Sequence, residues 1–234
     1  MKRLYFILQL MVAGIVTAPA QQTASEQGKK FTRDFDVRNC TFETTGRNHF
    51  FILDPGYQLV LKGVQGKDTS ILTITVLKEV REVRFTQTRV VEERETKNGK
   101  LTEVSRNYFS FCRESGTVFY FGEEVDNYKN GKIMNHAGSW LAEADFLPGV
   151  EMPGLLLLGA RYYQEVASGV AMDRAEVISL SETITTPAGT FPECLKTEET
   201  SALNPNENEY KIYAPGIGLV KDEEMVLVSY GYIK

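Results

Sequence analysis

The tetrapeptide Lys-Asn-Gly-Lys occurs twice, at 97–100 and at 129–132, each time between runs of alternating apolar and polar side chains. Asn and Gly both tolerate the positive φ of a type I′ turn, so Asn-Gly between two alternating runs specifies a tight β-hairpin. The first turn joins "VRFTQTRVVEERE" to "LTEVSRNYFSFC", and the second joins "GTVFYFGEEVDNY" to "GKIMNHAGSW". Two such hairpins commit the chain to antiparallel pairing between sequence neighbours. The flanking strands do not align beyond the turns. The motif therefore marks an up-and-down sheet rather than a repeat.

The same period of two runs through most of the remaining chain. In "DTSILTITVLKE", Ile71, Thr73, Thr75 and Leu77 share one face, and Leu72, Ile74 and Val76 share the other. "YQLVLKG" follows the turn signal "DPG". "ARYYQEV", "DRAEVISLSETIT", "TFPECLKTEET", "NEYKIYA" and "MVLVSYGYI" are separated by turn residues. The segment "DFLPGVEMPGLLLLG" breaks the pattern and reads as the one long connection. Roughly a dozen strands and no amphipathic helix place the fold as all-β, in one domain from Phe31 to Lys234. The expected architecture is a single antiparallel, strongly curved sheet or an incomplete barrel.

Residues 1–20 read as a signal peptide. "MKR" is basic, "LYFILQLMVAGIV" is apolar but short for a span, and "TAPA" places Ala18 and Ala20 for cleavage before Gln21. The alternative is a membrane anchor that stays. No cysteine follows the cut, which argues against a lipid anchor, and residues 21–30 form a polar, flexible leader. No later segment is apolar enough to span a bilayer, so a periplasmic or extracellular location is expected. The net charge of -5 argues against nucleic acid and against an anionic membrane surface. The mature chain keeps Cys40, Cys112 and Cys194. Export allows one disulfide, and Cys112 with Cys194 is the favoured pair because both sit in strand-like segments. Three buried thiols are the alternative.

Several stretches carry a resemblance: "GRNHFFILDPGYQLVLKG", "YFGEEVDNYKNGKIMNHAGSW", "PGVEMPG", "YYQEVASGVAMDRAEV", "TTPAGTFPECLKTEE" and "EYKIYAPGIGLVKDE". In their order and spacing the chain resembles a large family of uncharacterised exported bacterial β-proteins. That resemblance implies no activity. The "TPAGTF" corner is also similar to turns in exported proteins whose sheet is like the half-barrel of lipoprotein carriers, which implies a concave, ligand-holding face. The chain departs from the family at "FSFCRES", where a polar, Asp-rich segment is expected, so no role for Cys112 is inherited.

A two-residue loop at Asn130-Gly131 pairs Tyr128 with Ile133, and by extension Val125 with His136 and Phe121 with Trp140. Phe121, Glu123, His136 and Trp140 then share a mostly apolar face, with Glu123 and His136 diagonal to one another. Such a pair is a polar anchor in a pocket, half of an acid/base pair, or a satisfied structural contact. A second cluster, Glu165, Asp173, Glu176, Glu198 and Glu199, is either a carboxylate site or a set of cross-strand ion pairs with Arg161, Arg174 and Lys196. Two histidines and no Cys-x-x-Cys argue against zinc. No nucleophile elbow, phosphate loop or dinucleotide fingerprint is present, so no cofactor is expected. Cys194 beside Lys196 is a candidate reactive thiol, as is a Cys194–His136 pair, against a plain buried cysteine. The expected function is a non-enzymatic envelope protein that binds an apolar small molecule or lipid through Phe121, Glu123, His136, Trp140 and Tyr163. The alternatives are a hydrolase using Glu/His or paired carboxylates, and a structural or interaction module.

Overall fold

The structure is a computed structural model that describes residues 29–233. The signal peptide, and the leader before Lys29, lie outside the described residues. Seventeen strands follow one another with no helix among the described residues. The first are β1 (Phe42–Glu43), β2 (Arg47–Asn48), β3 (Phe51–Ile52), β4 (Tyr57–Gln65), β5 (Asp68–Val83) and β6 (Thr86–Lys97). Next come β7 (Lys100–Cys112), β8 (Val118–Lys129), β9 (Lys132–Asn135), β10 (Trp140–Leu141), β11 (Gly149–Met152) and β12 (Arg161–Tyr163). The last are β13 (Asp173–Thr186), β14 (Gly189–Ser201), β15 (Asn208–Ala214), β16 (Gly218–Asp222) and β17 (Met225–Tyr232).

The all-β expectation and both Asn-Gly hairpins hold. Asn98, Gly99, Asn130 and Gly131 all have positive φ, and Lys97 pairs with Lys100 as Lys129 does with Lys132. The corner at Thr186–Gly189 closes on Pro187 and Ala188 alone, a two-residue loop rather than the three-residue one its glycine suggests.

The expected single, strongly curved sheet or incomplete barrel does not form. There are two sheets: a large one whose main path runs β10-β8-β7-β6-β5-β4-β17-β16-β15-β14-β13-β12, and the small hairpin β2-β3. Neither is closed or strongly curved. Closure needs two long, continuous end strands to pair in register. Here the outer edge of β8 is shared among the short strands β9, β10 and β11, which the Gly- and Pro-rich connection keeps apart. The other end of the path is only the three residues of β12.

The path joins two meanders. β4 to β8 form one and β12 to β17 the other, and they meet where β17 pairs with β4, from Val226↔Lys62 to Tyr232↔Tyr57. Leu61, Leu72, Val91, Leu195 and Leu227 are buried on both sides of this seam and belong to one continuous core.

The disulfide links Cys40 to Cys112, and Cys194 is a free, buried thiol. The expected Cys112–Cys194 pair is therefore wrong. The two cysteines lie in different meanders, and β1 next to Cys40 pairs with β7 so that Phe42 sits opposite Cys112. Cys194 does not form a thiolate beside Lys196 either. Burial pushes its thiol up, Glu193 carries a positive φ at an irregular register, and Lys196 lies over the Tyr210 ring at 4.7 Å. A disulfide fits an oxidising, extracytoplasmic compartment.

The bridge closes a loop of 72 residues, so its removal in Cys40→Ser/Cys112→Ser is expected to lower unfolding free energy by roughly 2–5 kcal/mol in a denaturant titration. Thiol labelling checks the pairing. Denatured, unreduced protein should expose one thiol, at Cys194, and reduced protein all three. Labelling at Cys40 without reduction would refute it.

Candidate functional site

An interior cavity of about 70 Å³ lies between the two meanders. One wall is apolar, from Phe51, Leu59, Ile74, Val76, Val91 and Phe109. These come from β3 to β7, whose inward face follows from strand alternation. The other wall is polar and acidic: seven carboxylates and one lysine line the cavity.

The lysine is Lys211 of β15, on the same parity as Glu209 and Tyr213. Its Nζ lies 2.6 Å from Glu199 Oε2 on β14, and Tyr213 donates its hydroxyl to Glu199 Oε1 at 3.3 Å. Lys211 is held well above the usual lysine range. Burial opposes its charge, but the Glu199 carboxylate and the further acids Asp222, Glu209 and Glu151 outweigh that. A buried charge survives only with such a partner.

Glu151 of β11 and Glu93 of β6 face the same space from other directions. Glu151 is 9% exposed and Glu93 half-buried. Among the described residues neither carboxylate has a hydrogen-bond or ion-pair partner. Burial pushes both up to about 7, with Lys211 opposing the shift. Glu165 is also pushed up to about 7 by burial, while accepting a hydrogen bond from Trp140 Nε1 at 3.1 Å.

Of the residues chosen from sequence, Glu123 and Trp140 pair with one another behind the lining residue Glu165, outside the cavity lining itself, and the others do not join them. Trp140 sits opposite Glu123 rather than opposite Phe121. The second Asn-Gly hairpin keeps Tyr128 with Ile133, then slips, so that Asn127 pairs with Asn135 and β9 ends. A bulge in β8 adds a further change of parity. Phe109 pairs with Tyr120 but Asn107 with Glu123, which turns Tyr120 and Glu123 to one face. Gly122 supplies it with φ +122°, and a Cβ there would meet Trp140 O at 2.3 Å. Phe121 packs instead on Phe42, ring centroids 5.4 Å apart, away from the cavity that Tyr120 lines. Glu123 is 1% exposed, its Oε1 has no partner among the described residues, and burial, reinforced by Glu165, raises its pKa well above the carboxylate range.

His136 is exposed, with Nδ1 2.9 Å from Asp126 Oδ1 and 3.0 Å from Val125 O. The expected Glu123/His136 pair does not form, because the slip leaves His136 in the connection after β9. Tyr163 is half-buried against Phe31, 6.1 Å between centroids, and does not line the cavity. The acidic cluster divides between two faces. Glu165, Asp173 and Glu199 line the cavity, whereas Glu176 pairs with Arg161 and Lys29, and Glu198 with Lys29. Sequence reasoning missed Glu93, Glu151 and Lys211. The available signal was a charge on the parity of large apolar residues, as with Glu93 beside Val91 and Lys211 beside Tyr213.

Among the described residues no helix is long and apolar enough to cross a membrane, and no group of His, Cys, Asp and Glu is arranged to hold a metal ion. No family model matches the chain, and no curated protein matches it. Among solved structures it is similar to a candidate lipoprotein from Parabacteroides distasonis, at 18% identity and a TM-score of 0.38, covering 80% of this chain and all of that one.

Gly122→Ala is expected to destabilise by about 1–3 kcal/mol, because strand backbone rather than a flexible side chain blocks the Cβ. The single tryptophan, Trp140, lies at the point of contact, so its fluorescence should shift with the loss; unchanged stability and emission would refute the bulge. The raised acids set a pH dependence. Between their unfolded value of 4.5 and a folded value of about 7, the folded chain holds protons that the unfolded chain has released. Stability therefore falls as pH rises through that window. Glu114, held down to about 2 by the Thr41 backbone N–H, acts below it. The thermal midpoint should be highest near pH 5, fall towards neutrality, and fall less in Glu93→Gln/Glu151→Gln. A midpoint that rises from pH 5 to 7 would contradict the buried acids.

Proposed function

We propose that this is an exported, extracytoplasmic binding protein that holds a small molecule, by an apolar body, in the cavity between the two meanders. The observation that carries this reading is the cavity itself. It pairs a continuous apolar wall with a few convergent polar groups, the usual composition of a small-molecule site. The Cys40–Cys112 bridge and the signal-like first twenty residues support export. So does the resemblance to exported bacterial β-proteins.

The ligand is small or slender. At about 70 Å³ the cavity lies below the ~300 Å³ where drug-sized sites begin, which favours a short aliphatic molecule over a lipid tail. Glu165 lines the cavity and accepts a hydrogen bond from Trp140, which, like Glu123, stands behind the lining rather than in it. The hydrolase alternative loses its acid/base pair, since His136 is on the outside of the sheet.

Native mass spectrometry and thermal-shift screening with short aliphatic alcohols, ketones and amines test the proposal. At least one class should bind and raise the melting temperature. Ile74→Phe, which fills the apolar wall, should abolish the shift while leaving the far-ultraviolet circular dichroism unchanged. No binding by any class, or binding that ignores Ile74→Phe, would overturn it.

A further inference from the structure

We propose that the ligand carries a protonated amine, or a similar small organic cation, and that Glu93 and Glu151 receive it. This rests on the small-molecule reading above and names the chemistry of the polar end.

The cavity lining holds seven carboxylates against one lysine, and that lysine is already committed to Glu199 at 2.6 Å. Acid clusters alone mean little, because they are often satisfied by one another or by water. Here two members are not satisfied. Glu151 is nine-tenths buried, lines the cavity, and has no hydrogen-bond or ion-pair partner among the described residues. Glu93 of β6 lines the same space, also without such a partner among the described residues. A buried carboxylate without a donor loses its hydration and gains nothing in return. Burial accordingly raises both carboxyls to about 7, which favours their protonated form. An ammonium group offers what is missing: up to three N–H donors and a compensating charge.

The site suits an organic cation better than a metal ion. A metal needs several oxygens drawn to one point at coordination distance, and no such group exists among the described residues. An ammonium needs only acceptors at hydrogen-bond distance, and its alkyl body would lie on the Leu59, Ile74 and Val76 wall. Among the described residues, the other charged groups acting on these two acids are Lys211, Glu199, Glu95 and Asp222. Lys211 repels a cation, but its charge is balanced locally by Glu199. A carboxylate ligand would instead meet six acids besides Glu199, with no free lysine to receive it.

Isothermal titration calorimetry of the purified protein with n-butylamine, n-hexylamine and the alcohols and carboxylates of equal length tests this. The amines should bind on the order of tenfold more tightly than the matched alcohols, and the carboxylates not at all. Binding near pH 7 should release protons, since an ammonium favours ionised Glu93 and Glu151; the observed enthalpy should then vary with the ionisation enthalpy of the buffer. Glu93→Gln/Glu151→Gln should remove both the amine preference and the proton release, yet keep alcohol binding. Because each change removes a buried acid and keeps its shape, folding should persist, checked by circular dichroism. Equal affinity for amines and alcohols, or an amine preference that survives both substitutions, would overturn the cation assignment while leaving the small-molecule reading intact. Calcium chloride competing at micromolar concentration would overturn it in favour of a metal. If neither amines nor alcohols bind, the small-molecule reading itself fails.

Discussion

The ladder between β17 and β4 is the constraint on which the rest of the molecule depends. Nearly every other pairing in the long path joins strands adjacent in sequence, and such hairpins form locally at small entropic cost. The ladder from Val226↔Lys62 to Tyr232↔Tyr57 instead joins the first long strand to the last one. It must overcome the loop-closure entropy of everything between them. Buried Leu59 and Leu61 on one side, and Leu227 on the other, provide the apolar gain that makes it favourable. Without the seam, each meander would have an apolar face and nothing to cover it.

The cavity is a product of that seam. Its apolar wall belongs to the first meander, with Ile74, Val76, Val91 and Phe109, and its charged wall largely to the second, with Glu199, Glu209 and Lys211. Neither wall is a site alone. Lys211 and Glu199 are cross-strand neighbours on β15 and β14, so their ion pair forms within one meander and needs no help from the other. Glu93, in contrast, is carried to the second meander's charges by the first. The interior electrostatics thus couple two halves that the sequence separates.

Much of the fold was legible from local rules. Period-two alternation found the long strands, and the two Asn-Gly pairs placed two hairpins to the residue. These succeed because turn chemistry and strand parity act over a few residues. The architecture was not legible in the same way. Whether a meander closes, curves or stays open depends on its ends, and the short strands β9, β10, β11 and β12 carry too little pattern to read. The site shows the same limit more sharply. The face containing Phe121, Glu123, His136 and Trp140 was extrapolated from one turn through an unbroken ladder. The slip between Asn127 and Tyr128 and the bulge at Gly122 each broke it. A change of one residue exchanges the two faces of a strand, so His136 and Phe121 parted from Glu123, which kept Trp140 as its neighbour. The disulfide failed for a related reason: membership of a strand says nothing about which strands are neighbours. Glu93, Glu151 and Lys211 stand among apolar residues in sequence, but only the meeting of the two meanders shows that they face one another.

Burying several ionisable groups around a small cavity works against stability, so it persists only where other parts of the fold over-determine it. Lys211 and Glu199 satisfy each other, but among the described residues Glu93 and Glu151 have no donors, and one oxygen of Glu123 has no partner beside Glu165. Replacing such groups by apolar ones of similar shape generally stabilises a protein. The surrounding structure is correspondingly well tied. Long antiparallel ladders run on both sides, and Cys40–Cys112 anchors the segment before β1 to the end of β7. Tyr120 is fixed on the bulged strand by a hydrogen bond to Asn107 at 2.6 Å and by rings on either side, Phe109 and Trp140. The frame beside the cavity is thus held by satisfied contacts on its bulged strand as well as by the disulfide.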